Sequence, residues 1–273
     1  MMNYRFLAAG ALALTLAACA DEDEPTPPAM AYLRVAHLSP DAPAVDFCIQ
    51  ASGSTTWTGP VMESLGVTGG LAFKQVTAYL HLDAVKYNVR LVAPTDTNCN
   101  TGLVPDITSL PALPANAYVT AAAVGLLGGT PTFTGTAYID ESTVAAGQAK
   151  LRFVHAAPNV PEVNVGLTGT TFTPIFTNVV FPGISAAAGL VNGYVQTAPL
   201  TGVTIGVRLA SAPTVDALTF SNVSLPANAI ATAFAVGLLG ETGNQAIGAL
   251  LCVDNAPASG GLSACTFVPP DAT

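Results

Sequence analysis

Tyr87, Val89 and Leu91 alternate with Asn88 and Arg90, the two-residue period of a β-strand with one buried and one wet face. Similar short runs of Val, Thr, Tyr and Phe, bounded by Gly, Pro and Asn, recur along the whole chain. They predict strands over 32–36, 45–49, 72–77, 87–92, 118–126 and 134–139, then over 151–154, 163–167, 203–209, 230–238 and 246–253. The run from Tyr118 to Leu127 is apolar on both parities, as a central strand buried on two sides would be. The pattern implies an all-β fold, although the Ala-rich Ala121-Ala122-Ala123 also reads as helix.

The pattern also repeats. Arg34, His37, Pro40, Pro43 and Val45 recur 118 residues later as Arg152, His155, Pro158, Pro161 and Val163, and Arg90 recurs as Arg208. Leu113-Pro-Ala-Asn116 and Ala123-Val-Gly-Leu-Leu-Gly128 recur 112 residues later, at Leu225 and Ala235. Ordered matches of this kind define two copies of one unit. The first copy carries six extra residues between Leu91 and Leu113. The expected organisation is two tandem immunoglobulin-like β-sandwich domains, at 30–141 and 149–268, joined by the short linker 142–148. On the same offsets, Cys252 falls opposite Asp140, and Pro199 falls opposite His81.

The first residues break the pattern. Arg5 precedes a continuous apolar run from Phe6 to Ala18, the length of a signal-peptide core and too short for a bilayer span. Leu16-Ala-Ala-Cys19 resembles the lipobox of bacterial lipoproteins, so residues 1–18 are expected to be removed and Cys19 to carry diacylglycerol and a further acyl chain such as palmitate. Residues 19–29 form an acidic, proline-rich tether. Ala20, where an aspartate would retain the protein at the inner membrane, implies outer-membrane delivery by that resemblance. The run Asp21–Glu24 also resembles surface-export signals, and equally suits a solvated spacer.

Charge narrows the partners. Without Arg5, seven basic residues face seventeen acidic ones, a net charge near −10. Such a chain lacks the phosphate-neutralising surface that nucleic-acid binding requires. Four cysteines remain after Cys19, an even number in an exported chain. Of three connectivities, Cys48–Cys99 with Cys252–Cys265 keeps each disulfide within one copy.

The segment Leu33-Arg-Val-Ala-His37-Leu-Ser-Pro40-Asp41-Ala-Pro43-Ala-Val-Asp46 closely resembles the signature of the family called domain of unknown function 4397, and Leu151 to Pro158 is similar. The resemblance implies secreted or envelope-attached β-sandwich modules without an assigned activity. The second copy departs from it, with Asn159 and Asn164 in place of Asp41 and Asp46.

His37 beside Asp41 or Asp46 has the makings of an oriented general base. The second copy keeps the histidine, loses both carboxylates and has Ala157 in place of Ser39, so no nucleophile recurs. The signature reads as structural: a histidine in a proline-bounded turn, hydrogen-bonded to backbone. Two carboxylates among prolines fall short of a calcium cage, and no cysteine–histidine cluster suits zinc. The expectation is a non-catalytic cell-envelope lipoprotein without metal or cofactor, held to the membrane through Cys19, serving adhesion, matrix or assembly. The alternative is a binding lipoprotein for a small ligand such as a glycan, with Trp57 as the best stacking candidate.

Overall fold

The computed structural model describes residues 29–272. The expected signal peptide, Cys19 and all of the tether but Ala29 lie outside the described residues. The first half contains β1 (Met30–His37), β2 (Asp46–Ala51), β3 (Gln75–Val76), β4 (Leu80–Asp83), β5 (Tyr87–Val92), β6 (Tyr118–Val124) and β7 (Thr134–Asp140). The second half contains β8 (Ala149–His155), β9 (Val163–Leu167), β10 (Thr173–Val179), β11 (Gly183–Ile184), β12 (Tyr194–Thr197) and β13 (Leu200–Leu209). It continues through β14 (Leu218–Leu225), β15 (Ile230–Val236), β16 (Gly248–Val253) and β17 (Cys265–Val268). The fold is an all-β sandwich.

Each half lays one sheet over another. In the first, β3-β1-β6-β7, with β4 also on β1, faces the pair β2-β5. In the second, β11-β8-β15-β16-β17, with β12 also on β8, faces β10-β9-β13-β14. The first strand of each half runs parallel to a late one: Tyr32 to His37 against Tyr118 to Ala123, and Lys150 to His155 against Ile230 to Ala235.

Three large cores follow, with a small fourth cluster of Ala149, Leu225, Ala229 and Ala231. Leu33, Phe47, Leu91 and Val119 fill the first sandwich, and Phe153, Val165, Phe176 and Phe220 the second. Between them, Ala36, Leu38 and Val124 pack against Val154, Phe234 and Leu250. The sheets bearing β1 and β8 therefore lie back to back, buried on both faces. That is why β6 and β15 are apolar on both parities.

Several expected elements shift. The strand expected over 72–77 shrinks to Gln75–Val76, because Lys74 turns the chain with φ 71°. The edge of β1 is then shared with β4, which the sequence pattern did not reveal. In the second half, β10, β11, β12, β14 and β17 also went unforeseen. β10 holds Pro174 and shifts register, and β14 pairs through two register shifts with Asn222 at φ 57°, so neither keeps a clean period of two.

Two alignments are corrected by register. Thr120 pairs with Tyr138 and Thr232 with Cys252, so Cys252 corresponds to Tyr138, and Asp140 to Asp254. The cause is a connection of eleven residues between β15 and β16, against nine between β6 and β7. Likewise Tyr32 pairs with His81 and Lys150 with Gln196, so the counterpart of His81 is Gln196 rather than Pro199.

Candidate functional site

Arg34 and Arg152 extend from β1 and β8 on the faces that meet between the two halves. Arg34 Nη2 donates to Asp254 Oδ1 at 2.7 Å, while Arg152 Nη2 pairs with Asp140 Oδ1. Each arginine thus reaches the carboxylate of the other half. Thr120 Oγ1 accepts from Arg34 Nε at 2.8 Å and donates to Asp140 at 2.6 Å, and Thr232 plays the same part between Arg152 and Asp254. Tyr79 and Tyr194 complete the pairs, donating to Asp140 at 2.8 Å and Asp254 at 2.7 Å. The four charged side chains are at most 1% exposed.

Burial works against the charge on both guanidiniums, but the opposed carboxylates more than offset it and hold both above the ordinary arginine value. Burial would also raise the Asp140 carboxyl, yet Arg152 and Arg34 hold it below the usual carboxylate range. Burial pushes the phenols of Tyr79 and Tyr194 up. Two guanidiniums face two carboxylates in a buried site, where their hydrogen bonds are made to one another and to the neighbouring threonines and tyrosines. The arrangement fixes how the halves face each other, since sliding them would strand buried charges.

Sequence reasoning missed Asp140, Asp254, Tyr79, Tyr194 and both threonines. One signal was present: a lone aspartate closes an apolar strand in both copies, after Ala-Tyr-Ile and after Leu-Cys-Val.

The signature loops hold the other expected residues. His37 Nε2 lies 2.9 Å from the carbonyl of Pro43, and His155 Nε2 3.0 Å from that of Pro161. A carbonyl only accepts, so Nε2 carries the proton and Nδ1 is left with a lone pair, buried without a partner in both rings. Burial pushes both imidazoles below the ordinary histidine value. With His37 1% exposed and His155 0%, neither ring reaches solvent.

Asp41 accepts from the amides of Leu127 and Gly128, at 2.9 and 3.1 Å. In the second half, Asn159 accepts from the amide of Leu239 at 2.9 Å and donates to its carbonyl. Asp46 Oδ1 accepts from the amides of Phe47, Val61 and Met62, and Asn164 from that of Asn178. Both asparagines thus do their aspartates' work as acceptors for backbone. Pro40 and Pro158 are buried at the loop starts, while Pro43 and Pro161 are exposed and present the carbonyls to histidine.

Cys48–Cys99 and Cys252–Cys265 are disulfide-bonded, with Cα separations of 6.0 and 4.0 Å. The first ties β2 to the extra segment of the first copy, and the second joins β16 to β17 beside the core between the halves. Trp57 does not stand as a free stacking platform. Arg90 lies 4.2 Å from its ring centroid and pairs with Asp106, and Arg208 does the same with Phe172 and Asp216.

The ends of the molecule differ. Asn116 and Asn228, left-handed at φ 58° and 66°, close turns against Met30 and Gln148 at the end where each half begins. Seven residue steps along β1 separate Met30 from His37, about 23 Å of strand. At the far end the Leu126-Leu127-Gly128 turn is tied to Asp41, and Gln245, from the turn after β15, donates to the neighbouring Pro40 carbonyl at 3.0 Å. Both Leu-Leu-Gly turns therefore sit at the same end, with Leu127 45% and Leu239 50% exposed.

Beside Leu127 a cavity of about 380 Å³ is lined by Val45, Leu91, Leu103, Val104 and Phe133 as well as His37 and Pro43. The corresponding space by His155 is only about 40 Å³, with Val160, Leu218 and Phe220 among its walls. A neighbouring cavity of about 400 Å³ shares Val104, Leu127 and Phe133 and adds Asp106, Thr108 and Ser109. A wholly apolar cavity of about 90 Å³ within the second sandwich is smaller than the roughly 150 Å³ that holds a benzene, and is a packing gap.

Comparison with known proteins adds little beyond this geometry. No curated protein matches the chain. A solved structure titled a "putative cell adhesion protein" from Bacteroides fragilis aligns over 84% of this chain and 98% of its own, at 11% identity and a TM-score of 0.17, a likeness that carries no argument. Residues 62–166, from the turn after β2 into β9, match the family model described as Domain of unknown function (DUF4397).

Proposed function

We propose that the chain is a non-catalytic lipoprotein of the cell envelope, anchored through Cys19, that contacts a partner with the end bearing the two Leu-Leu-Gly turns. The observation that carries this reading is the placement of Leu127 and Leu239. Two matching, half-exposed leucines share one end of the molecule, and the described chain starts at the other. A tether at Met30 would turn that pair away from the membrane. Two equal contacts on one molecule raise avidity without a new kind of site. The residues most suggestive of catalysis are spent on backbone and on one another, which supports the non-catalytic reading. Protease added to intact cells is expected to remove the protein while a periplasmic control survives. Protection until the outer membrane is opened would sink the surface-contact reading.

The cavity of about 380 Å³ favours a second reading, as a binding protein for a small ligand. Its walls suit an apolar group better than a glycan. Displacement of an environment-sensitive apolar dye by Leu91→Trp, with no effect of Leu239→Asp, would support this reading over the first.

A further inference from the structure

The two inner sheets are built alike except at one edge. In the second half β17 lies antiparallel on β16, with Ala249 opposite Val268 and Cys252 opposite Cys265. The matching strand of the first half is β7, and among the described residues no strand lies beyond it. The Ile139 carbonyl accepts from Arg152 Nη1 rather than from β6. Strand alternation then turns the backbone groups of Gly135, Ala137 and Ile139 outward.

An open edge is normally blunted by a proline, a charge, a bulge or extreme shortness. β10 has Pro174 and register shifts, and β17 has four residues followed by Pro269 and Pro270. β7 runs seven residues in unbroken register on β6, with no proline, lysine or arginine, and Ile139 on it is 43% exposed. The tether is a poor occupant, since Asp21 to Pro28 holds four carboxylates and three prolines, and proline cannot donate to a ladder.

We propose that β7 pairs antiparallel with β7 of a second copy of this chain, about a two-fold axis through Ala137. The sequence of the strand is complementary to itself in that register. Gly135 falls opposite Ile139 of the partner, so the bulky exposed side chain meets a position without one, beside Ile107, which already covers Gly135. Ala137 opposes itself, and the outward amides of both strands find partners, as do the carbonyls of Gly135 and Ala137, while that of Ile139 already accepts from Arg152. The contact is isologous and therefore closes at two copies. It stands apart from the functional reading above, because the edge lies along the side of the sandwich and not at the leucine-bearing end.

The test uses the whole chain from Ala20 onward without its acyl anchor, weighed by analytical ultracentrifugation over a range of concentrations. The expected result is twice the monomer mass. Ile139→Lys should give a monomer with the wild-type unfolding midpoint, and so should Ala137→Pro, which removes only an outward amide. Val215→Lys, on a distant exposed turn, should remain a dimer. A wild-type chain that stays monomeric throughout overturns the proposal, and so does a dimer that both edge variants leave intact. Monomeric wild type that nonetheless binds a synthetic alternating apolar peptide also overturns it, assigning the edge to a foreign strand.

Discussion

Arg34 and Asp254, 220 residues apart in sequence, meet at 2.7 Å between the two halves of the molecule, and Arg152 and Asp140 meet there in the reverse sense. The short contacts are reciprocal: each arginine makes its closest ion pair with the carboxylate of the other half, while Arg34 Nε stands 3.6 Å from Asp140 of its own. The arginine that recurs in both copies is therefore the joint of the molecule.

Cutting one member of this joint should be costly. Asp254→Asn leaves Arg34 buried with only Asp140, 3.6 Å away and already held by Arg152, and breaking a buried pair in this way costs about 3–5 kcal/mol. Removing both partners leaves no stranded charge, so Arg34→Met with Asp254→Leu should cost well under the sum of the single changes. Urea unfolding of the four chains of this double-mutant cycle measures the coupling. Additive losses would mean that the pair does not act as a unit.

Much of the fold was legible because it depends on local pattern. β5 and β9 appear with the bounds their alternation predicts, and both disulfides join the expected cysteines. The joint was not legible, because its carboxylates fall out of alignment. The longer β15–β16 connection moves Asp254 to an offset of 114, where a fixed offset of 112 finds Cys252. The back-to-back packing was half visible in the two-sided apolar run of β6, which a free-standing sandwich does not need. In the signature loops the histidine rings bond to backbone carbonyls, and the aspartates needed the structure to show what they hold.

Asn159 predicts how Asp41 responds to change. Both side chains brace a Leu-Leu-Gly turn through its amides, so Asp41→Asn should change stability by less than about 0.5 kcal/mol. Asp41→Ala should cost about 1–3 kcal/mol, since it leaves the Leu127 and Gly128 amides without their acceptor. Thermal unfolding of both variants decides this. Equal losses would show that the charge, and not the acceptor oxygen, matters at Asp41.

His37 and His155 give the fold a response to acid. Burial places both below the ordinary histidine value of about 6.5, so the unfolded chain binds protons that the folded one refuses. Their contribution is complete above that value and is lost as pH falls through the depressed folded values. Each unit of depression is worth about 1.4 kcal/mol. The unfolding midpoint should therefore drop as pH falls from 7 toward 5. The double variant His37→Gln, His155→Gln should show a flatter profile over that window, because glutamine can donate to the proline carbonyl without titrating. An unchanged slope would assign the acid response to other groups.

The packing between halves also changes what a single copy can report when expressed alone. Deleting either copy would bare Ala36, Leu38 and Val124, or Val154, Phe234 and Leu250, and would take from Arg34 or Arg152 the carboxylate it pairs with most closely. An apolar face carrying a charge stripped of its closest partner is not a solvent surface. Residues 29–141 or 149–272 by themselves should therefore aggregate or self-associate, with hydrogen exchange in β6 or β15 much faster than in the whole chain. A loss of partner binding on truncation would then reflect lost structure as much as lost avidity. The informative comparison keeps both copies and changes one tip at a time, Leu127→Asp against Leu239→Asp. If both tips engage one partner, each single change should weaken binding and the two together abolish it. A soluble, monomeric single copy with native protection in its inner sheet would show that the halves are independent domains and that the joint is dispensable.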